Sequence, residues 1–236
     1  MRLAEMPYLL RLPDRGSRSW LIRTEVMFRG VVRDVPRIKI SPKDMRSAEQ
    51  LAFGSMSGGD RMLHHGYAPI YAHYLRAFLA GKDIKLAEFG ILKGTGLAIW
   101  CDLFEGARIL GFDIDPSHFH GNRKALERRG AFTKGTPEVH EYDQLSAGEA
   151  ILNRVLQGQT LDIVIDDGLH SMEAILNTWR SVKPHLSSRF VYFIEDYANL
   201  LDSCVDEFAG YDACAFGLMT VISAGVKVGR AHGCDD

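Results

Sequence analysis

Cysteine is scarce in this sequence, with four in 236 residues. Cys101, Cys204, Cys214 and Cys234 form no CxxC pair and have no zinc-ligand spacing, which excludes a disulfide scaffold and a structural zinc site. Long apolar runs are also missing. Stretches such as Leu161–Ile165, itself broken by Asp162, fall far short of the ~20 residues of a membrane span. The opening MRLAEMPYLLRLPDRG is broken by Glu5 and is too short for a signal-peptide core. Neither sign of charge is in excess: 30 acids against 28 bases give −2, so nothing calls for a nucleic-acid partner. There is no internal repeat and no low-complexity segment. The expectation is a cytoplasmic globular protein with reduced thiols, in keeping with 46% apolar and 25% charged residues.

The even balance hides an asymmetry. Residues 1–50 carry nine Arg and two Lys against six acids, or +5, so the remainder carries −7. Within this basic stretch Trp20–Val32 has the broad apolar face of an amphipathic helix. Pro36 and Pro42 break the chain after it, and Ser41-Pro42-Lys43-Asp44 has the form of a helix entry. The run FGSMSGGD at 53–60 is a loop or hinge. We therefore expect a basic helical arm over 1–55 and one domain over 56–236. The arm's apolar stripe, Trp20, Ile22, Val26 and Met27, makes a homodimer contact or a lid the natural expectation.

From Ala68 a helix runs toward Gly81, and then strands and helices alternate. The pattern predicts strands at Ile84–Phe89, Arg108–Asp113, Val139–Tyr142, Leu161–Asp166 and Phe190–Glu195. Helices are expected near 95–105, 121–129, 146–157, 171–183 and 198–209. Such alternation implies βαβ units and a parallel sheet covered on both faces. The tail differs: Ala213–Ser223 and Val226–Val228, separated by Ala224-Gly225, suggest a strand pair with an antiparallel member.

The first strand runs into GILKGTG, with Gly90, Gly94 and Gly96 before a helix. Glycines there allow a sharp turn and close approach to a ligand. Glu88 ends the strand. The next strand ends in Asp113, seventeen residues after Gly96 and placed to face ribose hydroxyls, with Asp115 beyond it. Glu141-Tyr142-Asp143-Gln144 closes the third strand, where an adenine ring would lie. Glycine turns and acidic helix caps are common by themselves. Their coincidence at successive strand ends favours a nucleoside cofactor. An anionic phosphate would be repelled by Glu88, and the loop lacks the G-K-[ST] ending. A zwitterionic amino-acid tail on adenosine suits this acidic rim better, and the pattern resembles motif I of class I S-adenosylmethionine methyltransferases.

The fourth strand ends in Asp166-Asp167-Gly168-Leu169-His170 and the fifth in Glu195-Asp196. In a parallel sheet these ends share one rim. Crowded carboxylates need a cation among them or become partly protonated. Oxygen ligands without thiolates suit Mg²⁺, Mn²⁺ or Ca²⁺. The plain structural alternative is that Asp167 and Asp196 cap the helices after their strands. The chemical reading is that a cation lowers the pKa of a bound hydroxyl and His170 removes its proton.

DDGLH, followed 29 residues after Asp167 by the Asp of IEDY, resembles the metal-dependent sugar O-methyltransferases, including those of macrolide sugars. HHGYAPIYAHYLRAF at 64–78 and EYDQL at 141–145 also match that family. The resemblance covers roughly residues 60–200. It implies a Rossmann-like class I methyltransferase fold, a seven-stranded and mostly parallel sheet with one antiparallel strand. It implies S-adenosyl-L-methionine and Mg²⁺ (or Mn²⁺) as cofactors. The site it implies has His170 and Asp167 as catalytic residues and Asp167, Glu195 and Asp196 as metal ligands. Glu88, Gly90, Gly94, Gly96, Asp113, Asp143 and Asp166 make up the expected cofactor site. The acceptor would be a saccharide hydroxyl, or in the alternative a catechol or other phenol. The sequence departs from the family at SGGDRML before HHGY, at Leu169, and in lacking a large N-terminal domain. That compact build is nearer to the mycobacterial branch that methylates mannose in methylmannose polysaccharide synthesis. Tyr67, Tyr71 and Tyr74 form a helical stripe read as core, and Trp100 and Trp179 are read likewise.

Overall fold

Strands form where β-branched, aromatic and aliphatic residues cluster between turn formers. The computed structural model of the chain describes residues 12–29, 59–146 and 148–227. Its strands are β1 (Lys85–Phe89), β2 (Arg108–Asp113), β3 (Glu138–Glu141), β4 (Leu161–Asp166), β5 (Leu186–Ile194), β6 (Asp212–Phe216) and β7 (Met219–Ala224). They make one seven-stranded sheet in the order β3-β2-β1-β4-β5-β7-β6. Strands β1 to β5 run parallel, and β7 is antiparallel to both its neighbours. The connection order reverses between β1 and β4, the place where open α/β sheets hold ligands beyond their strand ends.

Among the described residues the α-helices are α1 (Arg18–Arg29), α2 (Ala68–Leu75), α3 (Thr95–Leu103), α4 (Ser117–Arg128), α5 (Glu149–Leu156), α6 (Met172–Val182) and α7 (Leu200–Cys204). A short 3₁₀ turn, Val205–Phe208, continues α7 where one longer helix was expected. No described helix is long and apolar enough to cross a membrane.

Strand alternation sorts the core into two layers. Leu86, Ile109, Ile163, Ile165, Val191 and Phe193 face one side with residues from α1 to α4. Ala87, Phe89, Leu110, Phe112, Val164, Tyr192 and Ile194 face the other, with α5, α6 and α7. The same alternation decides where each strand-end acid points.

One expectation needs correction. The tail hairpin does not divide at Ala224-Gly225. It turns at Gly217-Leu218, where Phe216 pairs with Met219 and Gly217 takes φ +63°. The unbroken apolar run from Ala213 conceals this two-residue turn, whose positive φ a glycine supplies without strain. The helix of the basic arm packs on the sheet domain. Leu21 and Phe28 of α1 lie in the first core layer, and Trp20 and Ile22 pack against it. The chain itself therefore partly covers Trp20 and Ile22 of the stripe and leaves Val26 and Met27 exposed. The boundary at 55/56, the breaks at Pro36 and Pro42 and the helix entry at Ser41–Asp44 lie outside the described residues.

Candidate functional site

Glu88, the last residue but one of β1, lies on the side facing α3 and is buried. A carboxylate there needs partners. Trp100, one helical turn into α3, donates its indole N–H to Oε2 at 3.0 Å. The second partner is Arg61, from the segment before α2, whose Nη1 lies 2.7 Å from Oε1. The same guanidinium reaches two further acids. Its Nη2 is 2.7 Å from Asp167 Oδ2, and its Nε lies 2.9 Å from Glu195 Oε2 and 2.8 Å from Oε1. One buried arginine thus binds acids from the ends of β1, β4 and β5. Burial opposes its charge, but Glu195 and Glu88 outweigh that and hold it firmly ionised.

The position of Arg61 is fixed from α1. Glu25, fully buried, accepts the backbone N–H groups of Met62 at 2.7 Å and Leu63 at 3.0 Å. Burial raises the Glu25 pKa, and the two backbone bonds only partly offset it. Arg29, one turn on, donates to the Gly59 carbonyl at 3.3 Å. The arm helix therefore contributes to the site through the segment it braces.

Glu195 is enclosed. Tyr71 donates its hydroxyl to Oε1, so with Arg61 both carboxylate oxygens are engaged. Burial pushes its pKa up, against the pull of Arg61. Asp196 is more open. Tyr67 donates to its Oδ1 at 2.5 Å, and His65 Nδ1 lies 3.2 Å from the same oxygen. The ion pair with Asp60 raises the His65 pKa to about 9 despite burial, and Asp196 adds to the rise.

Asp167 turns Oδ2 to Arg61 and Oδ1 to His170 Nε2, 3.6 Å away. Burial raises its pKa, opposed by Arg61 and reinforced by Asp196. His170 Nδ1 lies 3.3 Å from the Glu195 carbonyl oxygen. A carbonyl only accepts, so this contact places the proton of a neutral imidazole on Nδ1 and leaves the Nε2 lone pair toward Asp167. Asp167, His170 and Asp196 each offer a ligand atom, all within 4.8 Å of one another. Two carboxylates gathered beside a neutral imidazole fit a divalent cation held by the acids, with the Nε2 lone pair left next to it. Glu195 could join them only by giving up Arg61 or Tyr71.

Neither Asp167 nor Asp196 caps a helix. Ser171 caps α6, accepting the Ala174 N–H at 3.2 Å, and Asn199 precedes α7. His170 and Asp196 instead adopt φ +54° and +55°, and Leu92 in the glycine loop adopts +41°. Left-handed backbone at non-glycine residues costs energy, and here it recurs at three loops on one sheet edge.

The expected cofactor residues divide. Glu88 and Asp113 share a side of the sheet. Asp113 accepts the N–H groups of Ile91 and Leu92 with Oδ2, both at 2.9 Å, and that of Asp115 with Oδ1 at 3.0 Å. It thus shapes the glycine loop directly. Gly90, at φ +83°, has no room for a side chain, because a Cβ would lie 2.0 Å from the Asp167 carbonyl oxygen. Gly94 is the left-handed cap of α3, and a Cβ on Gly96 would meet Glu88 and Arg61. Asp143 accepts from Leu145 N–H and Ser146 Oγ, both at 2.9 Å, and holds the turn after β3.

Asp166 is placed apart from the others. As the last residue of β4 it follows the alternation to the opposite face, where Gln144 and Tyr192 donate to it at 2.7 and 3.1 Å. Burial raises its pKa to about 6. Gln144 also accepts the Leu169 N–H at 2.8 Å, so this network supports the DDGLH loop from behind.

Sequence reasoning missed Arg61, Glu25 and Gln144. The signal for Arg61 was present: several buried acids require a cation, and an arginine stands shortly before HHGY. Tyr67 and Tyr71 are core residues as read, but each also donates to a site acid.

No family model matches the chain. The demethylmacrocin O-methyltransferase of Streptomyces fradiae is 29% identical over 140 residues, covering 56% of this chain and 32% of that protein. The 8-demethyl-8-(2-methoxy-alpha-L-rhamnosyl)-tetracenomycin-C 3'-O-methyltransferase of Streptomyces olivaceus is 28% identical over 142 residues, covering 57% of this chain and 33% of that one. The chain thus spans about a third of the length of these curated relatives. Among solved structures, MycE methyltransferase from the mycinamycin biosynthetic pathway, in complex with Mg, SAH and mycinamycin VI, superposes with a TM-score of 0.53. It is 21% identical, over 69% of this chain and 50% of its own. A second MycE complex, with Mg and SAH, gives 0.51 at 21% identity, over 67% and 48%. At this identity the likeness is one of fold: the chain has the Rossmann-like architecture of these methyltransferases.

Proposed function

We propose that the chain is an S-adenosylmethionine-dependent O-methyltransferase that uses Mg²⁺ or Mn²⁺ and acts on a saccharide hydroxyl. The observation that carries this reading is the convergence of Asp167, His170 and Asp196 within 4.8 Å, beside the glycine loop that follows Glu88. The similarity to two O-methyltransferases, one named for a rhamnosyl substrate, supports it. Asp167 and Asp196 would hold the cation, with Glu195 as the third acid. Glu88, Gly90, Gly94, Gly96, Asp113 and Asp143 would line the cofactor site. Asp166 would act through Gln144, behind the loop.

When bound, the cation supplies positive charge that makes a hydroxyl more acidic, and the cofactor supplies an electrophilic methyl group. The protein's part is then proton removal and positioning. With Nδ1 donating to the Glu195 carbonyl, Nε2 would be the basic atom of His170. A proton taken at Nε2 comes to rest facing Asp167 Oδ1, where opposite charge stabilises it. The second acid of that strand pair, Asp196, is oriented by Tyr67 and His65. Such base assistance is worth about 10²–10⁴-fold in rate, and fixed orientation of the acceptor adds to it.

The test is methyl transfer from labelled S-adenosylmethionine to a panel of mannosides, rhamnosides and catechols, with and without chelator. Transfer to a sugar that stops on chelation, and that Asp167→Asn abolishes, is the expected result. Full turnover in excess chelator refutes the metal role. Transfer to catechols alone refutes the acceptor class.

A further inference from the structure

We propose that Arg61 sets the affinity of this site for its divalent cation and couples that affinity to occupancy of Glu88. The inference deepens the reading above and rests on it. Arg61 divides its guanidinium among three acids: Nη1 to Glu88, Nη2 to Asp167 and Nε to Glu195. All three are partners that the proposed ligands also need. A cation held by Asp167 through Oδ1 places positive charge beside the guanidinium that Nη2 keeps on Oδ2 of the same carboxylate, and Glu195 can join only by freeing an oxygen from Nε or from Tyr71. The ammonium of an amino-acid tail binding at Glu88 must likewise compete with Nη1 for Oε1.

Each event removes one part of what holds the guanidinium in place. Each therefore lowers the cost of the other, and by linkage the effect is equal in both directions. The backbone has no need to move. Glu25 holds the N–H groups of Met62 and Leu63, so the arginine side chain can swing on a braced turn. In the absence of ligands the guanidinium is the resident counter-ion of a cluster that would otherwise carry three uncompensated buried acids. Its departure is then a response to two ligands acting together.

The experiment measures Mn²⁺ binding by the electron paramagnetic resonance of the free ion, with and without S-adenosylhomocysteine. The proteins are the wild type, Arg61→Gln and Arg61→Lys. In the wild type, S-adenosylhomocysteine should tighten Mn²⁺ binding by about fivefold or more, the lower end of ordinary coupling between sites. Arg61→Gln should bind Mn²⁺ more tightly than the wild type in the absence of S-adenosylhomocysteine, and the added ligand should then change little. Arg61→Lys should fall between, since an ammonium cannot reach three carboxylates as a guanidinium does. Mn²⁺ binding by Arg61→Gln that is equal to or weaker than wild type overturns the proposal, as does an undiminished effect of S-adenosylhomocysteine. If Arg61→Gln does not fold, Arg61→Lys decides, and a wild-type Mn²⁺ affinity in that variant overturns it. A wild type that binds neither Mn²⁺ nor S-adenosylhomocysteine refutes the proposed function itself, an outcome distinct from normal binding that Arg61 fails to influence.

Discussion

Glu25→Ala removes the brace beneath Arg61, and its cost can be worked from the structure. Two backbone donors, Met62 N–H at 2.7 Å and Leu63 N–H at 3.0 Å, lose their acceptor. Stranding a buried donor costs about 1–3 kcal/mol, and Leu63 is half-buried at that bond, so the gross loss is about 2–4 kcal/mol. One term opposes this. Burial raises the Glu25 pKa, so at neutral pH the ionised side chain carries a penalty that alanine relieves. The sign follows from linkage. A raised folded pKa means that the stability contributed by Glu25 is fully present below the unfolded value, 4.5, and is lost as pH rises through the folded value. The gap between wild type and variant should therefore be widest at and below pH 4.5 and narrow as pH rises above it. Urea denaturation across this range is the assay, with a shifted midpoint and an unchanged slope as the signature. A difference under about 0.5 kcal/mol at the acid end, the ordinary scatter of surface substitutions, would refute the bracing role. A gap that widens with pH would refute the electrostatic argument.

Gly90→Ala should destabilise the fold by about 3 kcal/mol or prevent folding, because the added Cβ meets the Asp167 carbonyl at 2.0 Å in a backbone at φ +83°; a melting temperature near wild type contradicts this. Asp113→Ala should lower both thermal stability and S-adenosylhomocysteine affinity, since three backbone N–H groups of the loop region lose their acceptor. An effect on affinity alone would mean that the loop holds its shape without Asp113. His170→Ala should keep Mn²⁺ and S-adenosylhomocysteine binding and slow turnover by about 10²–10⁴-fold. Near-normal turnover would move the base to another group, with His65 beside Asp196 the next to test.

What the sequence reveals here depends on the range of the forces involved. The parallel sheet is legible because strand and helix periodicities are local. Once strands are parallel, their last residues must gather on one edge, so DDGLH and IEDY could be brought together without coordinates. Alternation was legible in principle too. It separates Asp166 from Asp167, sending the first to Gln144 and Tyr192 on one face and leaving the second at the rim. Reading the acids as one cluster overlooked that rule. The hairpin at Gly217-Leu218 was hidden because every residue around it is apolar enough to continue a strand.

Arg61 belongs to a different class of feature. It meets Asp167 across 106 positions and Glu195 across 134, and no local pattern encodes either pairing. The crowding argument still applied: several carboxylates at one sheet edge require a positive charge. Such crowding fixes the sign of the missing partner and leaves its identity open between a metal ion and a side chain. The structure contains the side chain, at the site where the metal reading also converges. The open trio of Asp167, His170 and Asp196 and the closed trio of Glu88, Asp167 and Glu195 share Asp167, with one oxygen turned to each. A carboxylate divided in this way links two binding events through a single residue, so any ligand that draws on one oxygen alters what the other can hold.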